Sequence, residues 1–108
     1  MICYYGTWAV YRSGAGKFDV ENIDPFLCTT IIYSFAGLAS DNTIQGLDPW
    51  NDFYDNWGKG AMNRFVGLKK KNAALKAVLA IGGWNEGSVN YSNVKYEFLH
   101  IKQFTYLF

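Results

Sequence analysis

The sequence predicts an α/β domain built on a parallel sheet. Three observations carry that prediction. Residues 29–36 and 76–81 are continuous apolar runs, the first rich in β-branched and aromatic side chains, as in strands buried on both faces. Residues 59–71, between them, carry Met62, Phe65 and Val66 on one helical stripe. A third short apolar run, residues 2–5, stands ahead of a segment that can start a helix. The order strand, helix, strand, helix, strand is that of right-handed βαβ units. Such strands need helices on both faces, or closure into a barrel.

Each element follows from local chemistry. Ile-Cys-Tyr-Tyr over 2–5 stops at Gly6 and is read as the first strand. Residues 13–17 are a flexible Gly-rich loop. Asp19 is placed to cap a short helix over residues 20–27, with Glu21 near its positive end and Pro25 limiting its length. The second strand is 29–36. Residues 37–57 read as a long loop, with turn chemistry at Ser40-Asp41-Asn42 and Leu47-Asp48-Pro49. The helix over 59–71 takes Lys69 onto its stripe by its alkyl stem, and Asn72 is a stop. The third strand, 76–81, ends at Gly82-Gly83-Trp84. Residues 96–108 fit neither the helical nor the strand period.

Composition bounds the function. A chain of 108 residues and 12.2 kDa is one domain, and its 50% hydrophobic content can fill a core. The net charge is +1, split between −5 over residues 1–55 and +6 over residues 56–108. That balance argues against nucleic acid or an anionic membrane surface as partner. Lys69-Lys70-Lys71 suits the solvated end of a helix. No apolar run reaches the roughly 20 residues of a membrane span. Two cysteines and a single histidine, His100, argue against a structural zinc. In a secreted chain Cys3 and Cys28 can form a disulfide, and Asn90-Tyr91-Ser92 is an N-glycosylation sequon. No signal peptide precedes Cys3, so the N-terminus is expected to be incomplete.

Several chemistries fail on spacing. Gly14-Ala15-Gly16-Lys17 lacks the glycine a Walker A loop needs, where Tyr11 stands, and the Ser or Thr it needs, where Phe18 stands. Gly82-Gly83 has no third glycine in a Rossmann register. A flavodoxin-like domain is disfavoured for want of a phosphate loop. Asp48, Asp52 and Asp55 do not fit a calcium loop and read as the acidic start of a helix or a solvated loop. What remains is aromatic. Tyr4 or Tyr5, then Phe35, then Trp84 stand near the C-terminal ends of the three strands, and Trp8 follows the first. In parallel α/β folds those ends face the ligand. Flat rings offer sugar C–H faces a large contact at small entropic cost, and Asn85 or Glu86 can take hydroxyl or amide groups.

Four blocks resemble the N-terminal part of glycoside hydrolase family 18 chitinases, the arthropod type in particular. They are Cys3-Tyr-Tyr-Gly-Thr-Trp-Ala-Val-Tyr-Arg12, Phe18-Asp-Val-Glu-Asn-Ile-Asp-Pro-Phe-Leu-Cys28, Ile31-Ile-Tyr-Ser-Phe-Ala-Gly37 and Leu79-Ala-Ile-Gly-Gly-Trp-Asn-Glu-Gly-Ser88. The resemblance covers residues 2–93. It implies the first three β-strands and two intervening helices of a TIM (β/α)8 barrel, which typically needs about 250 residues. It implies a secreted parent, a Cys3–Cys28 bridge, and chitin or chitooligosaccharide as ligand, with no cofactor and no obligate protein partner. By the same resemblance Tyr4 and Phe35 line the sugar subsite at the cleavage point. Trp8 stacks on a sugar further toward the non-reducing end. Gly83, Trp84 and Asn85 border the cleavage point, with Trp84 under an acceptor-side sugar.

Two departures matter. The third-strand motif is often Ser-x-Gly-Gly in the family; here it is Ala80-Ile81-Gly82-Gly83. The catalytic Asp-x-x-Asp-x-Asp-x-Glu motif is absent, and the three Glu of the chain, Glu21, Glu86 and Glu97, do not supply it. The chain alone is therefore expected to be inactive. The alternative is a fragment of a non-catalytic chitin-binding lectin of the same family. Residues 94–108 are expected to be an atypical tail, read as translated intron because the Val94-Lys95 codons resemble a splice donor.

Overall fold

A computed structural model of the chain describes residues 1–94. Its centre is β2 (Thr30–Leu38), flanked in parallel by β1 (Ile2–Gly6) and β4 (Lys76–Ile81). The register sets two rows across the sheet. Tyr5, Tyr33 and Leu79 form one row, and Tyr4, Ile32 and Val78 form the next. Successive side chains alternate faces, so the two rows meet different surroundings. The Tyr5 row packs on α2 (Ala61–Gly67), where Phe65 is fully buried against Tyr5 and Tyr33. The Tyr4 row stays open, with Tyr4 70% and Val78 43% exposed.

The three predicted strands are all present. β4 has the expected bounds, and β2 starts one residue later and ends two residues later than expected. The extension has a partner the sequence reading missed. β3 (Ile44–Gly46) pairs antiparallel with Ala36–Leu38. Ala36 also pairs with Ile81, so β3 must lie on the β1 side of β2. The turn residues at 40–42 close a hairpin rather than open a loop, with Ala39 N–H donating to the Thr43 carbonyl at 2.8 Å. Residues 49–57 are likewise not plain loop: α1 (Pro49–Asp52) starts on an Asp48 cap with Pro at its first turn.

Two helices are shorter than expected. Residues 20–27 form only a 3₁₀ turn over Val20–Asn22. Asp19 does cap it, but Asn22 Oδ1 turns back to accept the Asp19 N–H at 2.9 Å, and Asp24 accepts from Phe26 N–H at 2.9 Å. These local bonds, with Pro25 lacking a donor, outcompete a helix. In the 59–71 segment, Gly60 sits at φ 63°, so α2 begins only at Ala61, and its last turn tightens to 3₁₀ over Leu68–Lys70. Leu68, 5% exposed, takes the stripe position assigned to the Lys69 stem. Arg64 then ties α2 to the 20–22 turn: it reaches both Glu21 oxygens at 2.5 and 2.7 Å and Asp19 at 3.3 Å.

The Cys3–Cys28 disulfide is formed, with Cα atoms 6.1 Å apart. It staples the start of β1 to the approach to β2. A short α3 (Val89–Val94) follows β4. The expected atypical tail, residues 94–108, lies outside the described residues apart from the backbone of Val94, as does His100.

Candidate functional site: an aromatic cleft at the strand ends

β1, β2 and β4 end at one side of the sheet, and each delivers a ring there. After Gly6 the chain coils into a 3₁₀ turn, Thr7–Tyr11, which carries Trp8. In β2 the register to β4 shifts between Ser34 and Ala36, which takes Phe35 out of the ladder; the Ser34–Phe35 peptide is cis. Phe35 stacks on Trp8, with ring centroids 6.1 Å apart and planes 11° from parallel. After β4, Gly82 N–H donates to the Ala36 carbonyl at 2.9 Å, and the chain then turns at Gly82 and Gly83, with φ of 111° and 108°. Few side chains tolerate that region. A Cβ on Gly83 would also stand 3.3 Å from the Phe35 ring. The turn leads into Trp84–Glu86, where Trp84 is 97% exposed.

These rings share a cleft of about 360 Å³. Trp8, Phe35, Gly83, Trp84 and Asn85, all expected at the site, line it together. Tyr4 is the exception. It does not line this cleft but a larger cavity of about 570 Å³ along the outer side of β1, with Cys3, Phe18 and Ile31. Tyr4 sits two residues before the end of β1, below the turn that carries Trp8.

The cleft also has a polar wall that sequence reasoning missed. Tyr11 and Asp48 line it, and the Tyr11 hydroxyl donates to Asp48 Oδ2. That bond and partial burial push the Tyr11 hydroxyl up to about 12. Behind Asp48 stands Asp52, read from sequence as helix-start or solvated but only 1% exposed. Asp52 accepts the Tyr33 hydroxyl at Oδ1 and the Asp48 N–H at Oδ2, the latter at 3.1 Å. A chain of bonds thus runs from Tyr33 in the core through Asp52 and Asp48 to Tyr11 in the cleft. The i, i+4 spacing of Asp48 and Asp52 was visible; the tyrosine partners, 19 and 37 residues away, were not.

Burial raises the Asp52 carboxyl above the ordinary carboxylate value, although the Tyr33 and Asp48 bonds pull it back in part. A carboxyl raised on folding favours the native state most below its unfolded value. That contribution is lost as pH rises through its folded value. The urea midpoint of the native protein should therefore gain on that of Asp52→Asn as pH falls from about 7 to about 4. A pH-independent gap between the two would disprove the assignment.

The cleft's acids are engaged in structure. Glu86 Oε2 accepts Leu38 N–H at 3.0 Å and the Tyr91 hydroxyl at 3.1 Å. Asn90, the sequon residue, donates Nδ2 to the Leu38 carbonyl at 2.8 Å. The arrangement can stack a ring and offer hydrogen bonds.

The family model of glycosyl hydrolases family 18 matches residues 1–105. The chain belongs to this family. Probable chitinase 2 of Drosophila melanogaster is 50% identical over 95 residues, covering 87% of this chain and 20% of that protein. The crystal structure of Ostrinia furnacalis Group IV chitinase superposes with a TM-score of 0.84 at 46% identity, over 98% of this chain and 28% of the other. Human YKL-39, a pseudo-chitinase with retained chitooligosaccharide binding properties, superposes with a TM-score of 0.73 at 32% identity, over 98% of this chain and 27% of the other. The family 18 chain thus spans about a fifth to a quarter of these relatives' lengths. Its α/β layers are part of a TIM barrel, with the sheet open at β1 and β4.

Proposed function

We propose that this chain forms one wall of the chitooligosaccharide cleft of a chitinase-like glycoside hydrolase. The observation that carries the reading is the gathering of Trp8, Phe35 and Trp84, from three different strand ends, in one cleft. Isolated rings would be core residues; three on one rim, one of them almost fully exposed, suit a ladder of sugar rings. Phe35 would then border the cleavage point, while Tyr4, which lines the separate cavity beside β1, is left out of this wall. Trp8 would hold a sugar toward the non-reducing end, and Gly83, Trp84 and Asn85 would hold the acceptor side. In a full-length parent the chemistry would be substrate-assisted retaining hydrolysis of chitin. The motif Glu protonates the leaving oxygen, and the substrate's N-acetyl group acts as nucleophile. The 108 residues lack that motif, so this chain alone should release no product from a chitin oligomer. The disulfide and the sequon suit a secreted parent.

A second reading is a chitin-binding lectin, favoured by the likeness to a pseudo-chitinase that still binds chitooligosaccharides. The residue at the last position of the parent's catalytic motif separates the two: Glu for the enzyme, another residue for the lectin.

Titration with penta-N-acetylchitopentaose tests the shared part. Trp84→Ala should weaken binding about tenfold, the loss of one stacked ring. Unchanged affinity would remove Trp84 from the site, and product release by the chain would overturn the inactive assignment.

A further inference from the structure

Trp84 sits on a turn that hangs between β4 and α3, and nearly all of its ring faces solvent. A platform must nevertheless keep its place to bind with small entropic loss. One residue of that turn reaches across the sheet. Glu86 Oε2 takes the Leu38 N–H and the Tyr91 hydroxyl, which join the turn to the end of β2 and to α3. Leu38 lies three residues past Phe35, so the same strand end holds the neighbouring ring. Asn90 completes the attachment by donating to the Leu38 carbonyl. Both polar backbone groups of Leu38 are thus taken by the segment that follows β4.

The strand has made room for this carboxylate. A Cβ on Gly37 would lie 2.9 Å from both Glu86 oxygens and 2.5 Å from Leu47 Cδ2. Any side chain there would push the carboxylate off the Leu38 N–H. The Tyr91 hydroxyl is pushed up to about 12, by partial burial and by its bond to Glu86, so it stays a donor at neutral pH.

We propose that Glu86 is a positioning residue: it sets Trp84 in the cleft by tethering the β4–α3 turn to the end of β2. This rests on the reading of Trp84 as a sugar platform. A carboxylate hydrogen-bonded in the wall would act through the ring beside it rather than on the sugar or on a proton in transit.

The test is a double-mutant cycle on the full chain with penta-N-acetylchitopentaose, joined to amide exchange at Leu38. Glu86→Ala should weaken binding about three- to tenfold when Trp84 is present, and less than about twofold in the Trp84→Ala background. Leu38 amide exchange should accelerate while the amides of Ile31–Tyr33 keep their protection. Glu86→Gln, which keeps an acceptor oxygen, should recover most of the affinity. Tyr91→Phe, a smaller change for a chain that tolerates Glu86→Ala poorly, should lower affinity in the same Trp84-dependent way. Equal losses in both backgrounds, or a Leu38 amide indifferent to Glu86→Ala, overturn the proposal. If Trp84→Ala weakens binding and neither Glu86→Ala nor Tyr91→Phe does, the tether alone fails. If Trp84→Ala itself has no effect, the platform reading fails and the positioning role with it.

Discussion

Phe65→Ala should abolish the cooperative fold of this chain. Phe65 is fully buried and fills the space between α2 and the sheet. Its ring stacks on Tyr5, with centroids 5.9 Å apart, and meets Tyr33 edge-on at 5.3 Å. The tyrosines come from β1 and β2 and are paired in register, so one ring joins helix to both strands. Truncating a buried Phe to Ala typically costs about 3–5 kcal/mol, from lost transfer energy and the cavity left behind. A domain of this size holds roughly 5–15 kcal/mol in favourable cases. This one should sit low in that range, because among the described residues nothing covers the Tyr4–Ile32–Val78 row or the outer edges of β1 and β4. Urea unfolding followed by near-ultraviolet circular dichroism measures the loss. A midpoint within error of the native protein would show that the core is organised around some other residue.

Reducing the Cys3–Cys28 bridge should be almost as damaging. The bridge closes a loop with a sequence separation of 25. Opening such a loop restores conformational freedom to the unfolded chain worth about 3.5 kcal/mol on the chain-entropy account. The bridge also pins β1, which among the described residues is held on one side only, by β2. The Cys3→Ser/Cys28→Ser double variant should behave as the reduced protein does. Equal urea midpoints for the oxidised and reduced forms would refute this account and place the stabilisation of β1 in its ladder with β2.

The two largest effects differ in how they could be read from sequence. The cysteines were visible as a pair with a use. Phe65 was visible as a member of a helical stripe, since Met62, Phe65 and Val66 recur at that period. Nothing local said that Phe65 would face two tyrosines from different strands. The strands themselves were legible because runs such as Lys76–Ile81 carry their signal in consecutive residues. The helix expected over 20–27 was misread for the opposite reason. Asp19, Asn22 and Asp24 are good caps and good turn formers alike, and only the competing bonds decide between them.

The candidate site divides in the same way. Trp8, Phe35 and Trp84 were named from their places at or just after strand ends, Asn85 as a polar neighbour and Gly83 through the family resemblance, and the fold gathers them because parallel strands end on one side. The Tyr33–Asp52–Asp48–Tyr11 chain and the Glu86 bond to Leu38 were not legible. Their partners are separated by 19, 37 and 48 residues. The same three acids would read identically in a solvated loop.

Alone, the order of residues determined the three parallel strands, the helix between the last two, the disulfide pair and the family. Those depend on periodicity, composition and contiguous motifs, each contained within a few turns of chain. Only the tertiary structure decided which acids are buried, which strand end takes the hairpin, and that Tyr4 lines a different cavity from the cleft that Phe35 enters. Those outcomes depend on sheet register and on bonds between distant segments, and a one-residue slip in register would reverse every face.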